Sequence, residues 1–205
     1  MFNSYIYCSY LKKSQEISDI NEHLSTLYKY AQECRHITEC GVREVTSSFA
    51  FATGLLGKQD NKLVLVDLEK HNNVSFFLED CSNENINAIF YEQSDLECPL
   101  EHTDLLFIDT WHIYGQLKRE FARWHTYVNK YIILHDTTVD ELDGESIRCA
   151  HDINKESKRS GFPVEEIVKG LWPAVEEFLD NNKNWILKER FINNNGLTIL
   201  ERISS

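Results

Sequence analysis

DLLFIDTWHIYGQLKREFARW (residues 104–124) reads as a strand, a turn and a helix in one stretch. The run from Asp104 to Asp109 is strand-length and apolar on both faces, as a central parallel strand covered by helices on each side requires. From Ile113 to Val128, the residues Ile113, Leu117, Phe121, Trp124 and Val128 recur at steps of three and four. Lys118, Arg119 and Arg123 occupy the other face, which predicts a helix lying on the sheet. KYIILHD (130–136) repeats the strand pattern, so the unit is β-α-β with its two strands parallel neighbours.

Working outward, HITEC (36–40), KLVLVDL (62–68) and INAIFY (86–91) are further buried strands. Helices are expected over Asn21–Glu33, Ser47–Leu56 and Leu171–Leu179, the last with Pro173 tolerated in its first turn. The end of the chain differs: NWILKERF (184–191) and GLTILERI (196–203) are joined by NNNG, a hairpin signal. The fold class is therefore α/β: a Rossmann-like, seven-stranded sheet, mainly parallel, with a C-terminal antiparallel hairpin and helices on both faces. A single domain is expected over 1–205. It comprises a leading helical segment (1–35), cofactor-binding βα units (36–136), a polar flap (140–161) carrying Gly144, Glu145 and Arg148, and the hairpin (184–203).

The length of 205 residues suits one substantial core and is short for two. A net charge of −12 argues against nucleic-acid phosphates and anionic membranes as partners. No segment reads as a signal peptide or membrane span, and the six cysteines are scattered without a CxxC pair. Reduced thiols and a cytoplasmic location are the expectation.

In open α/β sheets the ligand lies at the carboxyl ends of the strands. Glu39 and Gly41 stand there after the first strand, where a glycine lets a ligand approach the backbone or simply makes the turn. G-x-G-x-x-G is not met, because Arg43 and Val45 fall where further glycines would, and this counts against a dinucleotide. Asp67 at the second strand's end can accept hydrogen bonds from ribose hydroxyls, while Glu69 reads as a solvated loop residue. After the third strand, Gln93, Ser94 and Asp95 are placed for an adenine edge, although Ser94 or Asp95 would serve equally as an N-cap.

Asp109, His112 and Asp136 carry the chemistry. Asp109 and Asp136 close neighbouring strands and converge although 27 positions apart, and two carboxylates suit a hard divalent cation such as Mg²⁺. Such an ion lowers a hydroxyl pKa, and His112 can then take the proton. The alternatives are that Asp109 caps the following helix, that His135 is a core histidine bonded to backbone, and that Trp111 and Tyr114 only wall the pocket.

ECGVRE (39–44), DLLFIDTWHIYGQLKRE (104–120), YIILHDTT (131–138), GLWPAVEEFL (170–179) and NNNGLTILER (193–202) together resemble one family. It is the cephalosporin-hydroxylase-like and macrocin-type sugar O-methyltransferase group of class I S-adenosylmethionine-dependent enzymes. The resemblance runs from about Ile37 to the C-terminus. It implies S-adenosyl-L-methionine as methyl donor, bound near Glu39, Gly41, Asp67 and Asp109, and a divalent cation on Asp109 and Asp136. It also implies His112 as base and a sugar or glycan hydroxyl as acceptor. The chain departs from the group at His135, where some relatives carry a second acid, and at Val45, where a glycine is expected.

Two rival readings accompany this one. One is the same chemistry on a catechol or other small natural product. The other is a non-catalytic module that binds S-adenosylmethionine or a glycan within a larger transferase. Partners compatible with the sequence are the small-molecule or glycan acceptor, a homo-oligomer, or neighbouring transferase domains.

Overall fold

A computed structural model of the protein describes residues 4–203; residues 1–3 and 204–205 of the expected single domain lie outside the described residues. The strands are β1 (His36–Cys40), β2 (Lys62–Asp67), β3 (Ala88–Glu92), β4 (Thr103–Ile108), β5 (Val128–His135), β6 (Trp185–Phe191) and β7 (Leu197–Arg202). They form one sheet in the order β3-β2-β1-β4-β5-β7-β6. The first five are mutually parallel, and β7 runs antiparallel between β5 and β6. This is the Rossmann-like sheet, mainly parallel with a C-terminal antiparallel hairpin, that the alternation of buried strands and helices predicted.

Strand residues alternate between two cores. Leu63, Leu65, Leu105, Phe107 and Ile133 join one cluster with residues of α1 (Tyr5–Gln15), α2 (Leu24–Ala31), α3 (Thr46–Leu55) and α4 (Asn72–Asn83). Val64, Val66, Leu106, Ile108, Ile132 and Leu134 face the other way, onto α5 (Tyr114–Trp124) and α9 (Trp172–Asn181). Leu117, Phe121 and Trp124 form the buried stripe of α5, and Phe121 stacks on Phe178 of α9 at 4.2 Å. Each large side chain so buried contributes about 1.5–3 kcal/mol, enough to fix the helix to the sheet.

Some boundaries differ from the sequence expectation. The helix read as 113–128 ends at Trp124, and Val128 instead opens β5, because its side chain packs into the same cluster from the strand. The expected Asn21–Glu33 helix starts as a 3₁₀ turn, Asn21–His23, before α2. The short helices α6 (Glu145–Arg148), α7 (Ile153–Ser160) and α8 (Val164–Ile167) complete the set between β5 and α9. No helix among the described residues is long and apolar enough to cross a membrane.

The segment expected as a flap is stitched down at its base. Leu171 N–H donates to the Asp140 carbonyl at 2.8 Å, Gly170 N–H to Leu142 at 2.7 Å, and Gly144 N–H to Val168 at 2.9 Å. Glu145 N–H also donates to the His112 carbonyl at 2.9 Å, so the neck of this excursion forms a wall of the cleft.

Candidate active site

Gly41 governs the geometry of the cleft. Its φ of +85° is left-handed, and a Cβ there would lie 1.9 Å from the Asp109 carbonyl oxygen. The glycine is thus demanded by the chain's own β4 tip, in addition to any ligand. Beyond it the loop is held by Asp67, whose Oδ2 accepts from the Val42 and Arg43 amides at 2.7 and 2.9 Å. Asp67 Oδ1 takes only a long bond of 3.3 Å from Glu69 N–H, and Asp67 borders the cleft.

That cleft has a volume of about 320 Å³ and runs along the strand tips from Gln93, Ser94 and Asp95 past Gly41 to Asp109, His112 and Asp136. The sequence-predicted residues are brought together here, with one exception. Glu39 is fully buried, and its carboxylate receives the hydroxyls of Ser47 and Ser48 on α3, the latter at 2.6 Å. Burial pushes the Glu39 carboxyl up to about 8 despite those hydroxyls. Ser94 Oγ accepts Leu96 N–H at 3.2 Å, so it makes a local turn while bordering the cleft.

Asp95 is buried and accepts from Gln116 Nε2 at 3.2 Å. Glu120 is buried beside it and accepts from Thr110 Oγ1 and Gln116 Nε2. Burial and the neighbouring Asp95 drive the Glu120 carboxyl well above the usual range. Burial raises Asp95 as well, and Asp95 Oδ2 and Glu120 Oε2 are both buried without a hydrogen-bond partner, so the two neighbouring acids favour sharing a proton over both being charged.

The charged group lies on the other side of β4. His112 Nε2 is 3.1 Å from Asp109 Oδ1, and His112 Nδ1 is 3.1 Å from Asp136 Oδ2 and 3.3 Å from Asp140 Oδ2. Asp140 is fully buried and paired bidentately with Arg148, at 2.7 and 2.8 Å. His135 is buried; its Nδ1 faces Asp109 Oδ1 at 3.3 Å and its Nε2 faces the carbonyls of Asp19 and Asn194 at 3.1 and 3.3 Å. His135 is therefore both a backbone-bonded core histidine and a neighbour of Asp109.

The electrostatics follow from these contacts. Burial disfavours the His112 cation, but Asp109 and Asp140 outweigh it and raise its pKa well above the ordinary value. Burial would raise Asp109, yet His135 and His112 hold it well below the usual carboxylate range. For Asp136 burial prevails over the two imidazoles, and its carboxyl is raised. Asp136 also has a left-handed φ of 57°, a conformation that costs about 1–3 kcal/mol outside glycine and concentrates at functional sites.

Asp109, His112 and Asp136 each offer a ligand atom within 4.8 Å of the others. Asp136 Oδ1 is buried without a hydrogen-bond partner. Carboxylate oxygens with an unused buried lone pair fit a hard divalent cation. Thr137, next after Asp136, is fully buried and bonded to Thr198 Oγ1 at 2.9 Å, so it adds no donor.

Several site features escaped the sequence. In the sequence Asp140 is only the start of a polar segment. The Asn193–Asn195 turn is a bracket: Asn193 O meets His23 Nε2 at 2.9 Å, Asn194 Nδ2 donates to Ser18 O at 2.8 Å, and Asn195 O accepts Thr138 N–H at 2.9 Å. Gly196 permits this approach, since a Cβ there would lie 2.3 Å from Thr138 Oγ1. Trp111 borders the cleft, stacked on Phe162 at 5.8 Å, whereas Tyr114 turns to Lys118 and Glu177.

No protein-family model and no curated protein matches this chain. Solved structures do match in fold. The O-methyltransferase TomG of Streptomyces achromogenes, involved in tomaymycin synthesis and bound to S-adenosylmethionine, is similar with a TM-score of 0.63 and 13% identity over 96% of this chain and 90% of that one. An O-methyltransferase from Bacillus cereus in complex with S-adenosylhomocysteine gives 0.60 and 13% over 98% and 91%. Magnesium protoporphyrin IX methyltransferase from Synechocystis gives 0.56 and 12% over 100% and 96%.

Proposed function

We propose that this chain is an S-adenosylmethionine-dependent O-methyltransferase, assisted by a divalent cation, whose acceptor is a hydroxyl of a sugar or glycan. The observation that carries the reading is the convergence of Asp109, His112 and Asp136 at the end of a cleft that passes Gly41, Asp67 and Asp95. Fold neighbours that hold the cofactor or its demethylated product support the donor. The sugar acceptor rests on the resemblance of the strand-tip motifs, because a fold does not fix a second substrate.

The chemistry asks three things of these residues. The cleft wall orients the donor so that its methyl lies in line with the acceptor oxygen. Asp109 and Asp136 would hold the cation, which when bound supplies Lewis acidity that lowers the hydroxyl pKa. Asp109 and Asp136, two of the carboxylates that raise the His112 pKa, would be neutralised by holding the cation. The imidazole, once deprotonated, receives the hydroxyl proton as the oxygen–carbon bond forms and the carbon–sulfur bond breaks. S-adenosylhomocysteine and the methyl ether are the products.

The test is transfer of labelled methyl from S-adenosylmethionine to a panel of free sugars, methyl glycosides and catechols, with Mg²⁺ or with a chelator. Label on a glycoside that is lost with the chelator is the expected result. Label on catechols alone would replace the acceptor assignment, and cofactor binding with no turnover would favour the non-catalytic module. Asp136→Asn keeps the left-handed backbone accessible. It is expected to abolish stimulation by Mg²⁺ while S-adenosylhomocysteine affinity stays within about twofold, because the amide keeps the shape of the side chain at the end of the cleft.

A further inference from the structure

Arg43 and Asp19 stand where two cavities meet. One cavity, of about 350 Å³, lies between residues 18–20, the Gly41 loop and His71, and the other is the cleft along the strand tips. Both are bordered by Asp19, Gly41, Arg43 and Asp109. Across this junction Arg43 Nη2 lies 2.8 Å from Asp19 Oδ2.

The two backbones are fixed. Arg43 N–H donates to Asp67 Oδ2 at 2.9 Å with φ at 42°, and the Asp19 carbonyl faces His135 Nε2 at 3.1 Å. Their side chains are not: they are 71% and 39% exposed, and an ion pair in such a setting opens at little cost. The junction thus presents one cationic fork and one carboxylate on fixed main chain. A ligand bearing both an α-carboxylate and an α-ammonium can take each half, the carboxylate on the guanidinium fork and the ammonium on Asp19.

We propose that Arg43 and Asp19 are a zwitterion clamp for the amino-acid end of the methyl donor, paired with each other without it and divided between its carboxylate and ammonium when it binds. The proposal rests on the cofactor reading above and adds to it the residues that recognise one half of that ligand. It gives the N-terminal segment a function in the cleft, since Asp19 reaches it from outside the βα units. It also gives Arg43 a use for a left-handed conformation that a non-glycine residue adopts at a cost.

Calorimetric titration of the whole chain with S-adenosylhomocysteine and with 5′-methylthioadenosine separates the outcomes. The second ligand keeps the nucleoside and thioether but lacks both charged groups. Arg43→Gln is expected to weaken S-adenosylhomocysteine by about 10- to 100-fold, one charge-assisted contact, and to leave methylthioadenosine within about twofold. Asp19→Asn is expected to weaken S-adenosylhomocysteine by roughly three- to tenfold, less because it also releases Arg43. Retained methylthioadenosine binding shows that each variant is folded. A ratio of the two affinities unchanged in both variants overturns the clamp, whether or not both ligands weaken together. Failure of the unaltered protein to bind either ligand overturns the cofactor reading and the clamp with it.

Discussion

Two buried acidic regions flank the tip of β4, and they are resolved in opposite ways. Around His112, the acids Asp109 and Asp140 meet imidazoles and the Arg148 guanidinium, and they stay ionised. Between the β3 loop and α5, Glu120 meets another acid and amide and hydroxyl donors, and its carboxyl is driven well above the usual range. Glu39, which meets only serines, belongs with the second kind. Desolvation acts on all of them; the supply of cations differs. Asp136 lies between the two kinds, because His112 and His135 face it and burial still raises its carboxyl. Positive charge opposite a buried carboxyl thus favours the ionised form, and the balance with burial decides each case.

The contrast breaks most severely at His112. His112→Ala removes the group facing Asp109, Asp136, Asp140 and Glu145, and it should slow the methyl-transfer step by roughly two to four orders of magnitude, as loss of a general base does. Single-turnover kinetics on whichever acceptor is methylated measures this, and full activity would end the assignment of His112 as base.

Glu39 gives the next largest effect, through pH. Its folded value of about 8 lies above its ordinary 4.5, so the stability it confers is complete below pH 4.5 and is lost as pH rises through 8. Glu39→Gln, neutral throughout, should remove a slope approaching about 1.4 kcal/mol per pH unit inside that window. Thermal melts of both proteins from about pH 5 to 8.5 test it. Parallel curves would mean that the carboxyl is ionised in the folded protein.

Arg148→Ala tests the cation side of the comparison. It strips a fully buried Asp140 of two short bonds, and a loss of about 1–3 kcal/mol is expected in denaturant unfolding, moderated by the exposure of Arg148 and by His112 nearby. Glu120→Gln should do least, under about 1 kcal/mol near neutral pH, because a neutral amide can face Asp95 without placing a second negative charge beside it. A larger loss from Glu120→Gln than from Arg148→Ala would reverse the comparison.

The sheet was legible because central parallel strands are apolar on both faces, and KLVLVD and YIILH admit few other uses. α4 was not: its buried positions Val74, Phe77 and Cys81 keep a helical period, but the exposed Phe76 and the half-buried Leu78 blur it. In the site, Asp109, His112 and Asp136 were legible because each lies at or just beyond a recognisable strand end. Asp140 was hidden because its partners come from a neighbouring turn and a four-residue helix with no period to detect. The Asp19–Arg43 pair and the asparagine bracket were hidden for a different reason. They depend on how the segment before β1 lies across the strand tips, and no local pattern encodes that placement.

The asparagine bracket has a consequence for assembly. Ser18–His23 and Asn193–Asn195 are separated by about 170 positions, and their bonds can form only after the intervening sheet has brought them into register. The front of the cleft should accordingly be the latest part of the fold to gain protection from amide exchange during refolding. Such a sequence of events would leave the ligand-facing loops exposed until the hairpin beside β5 is in place.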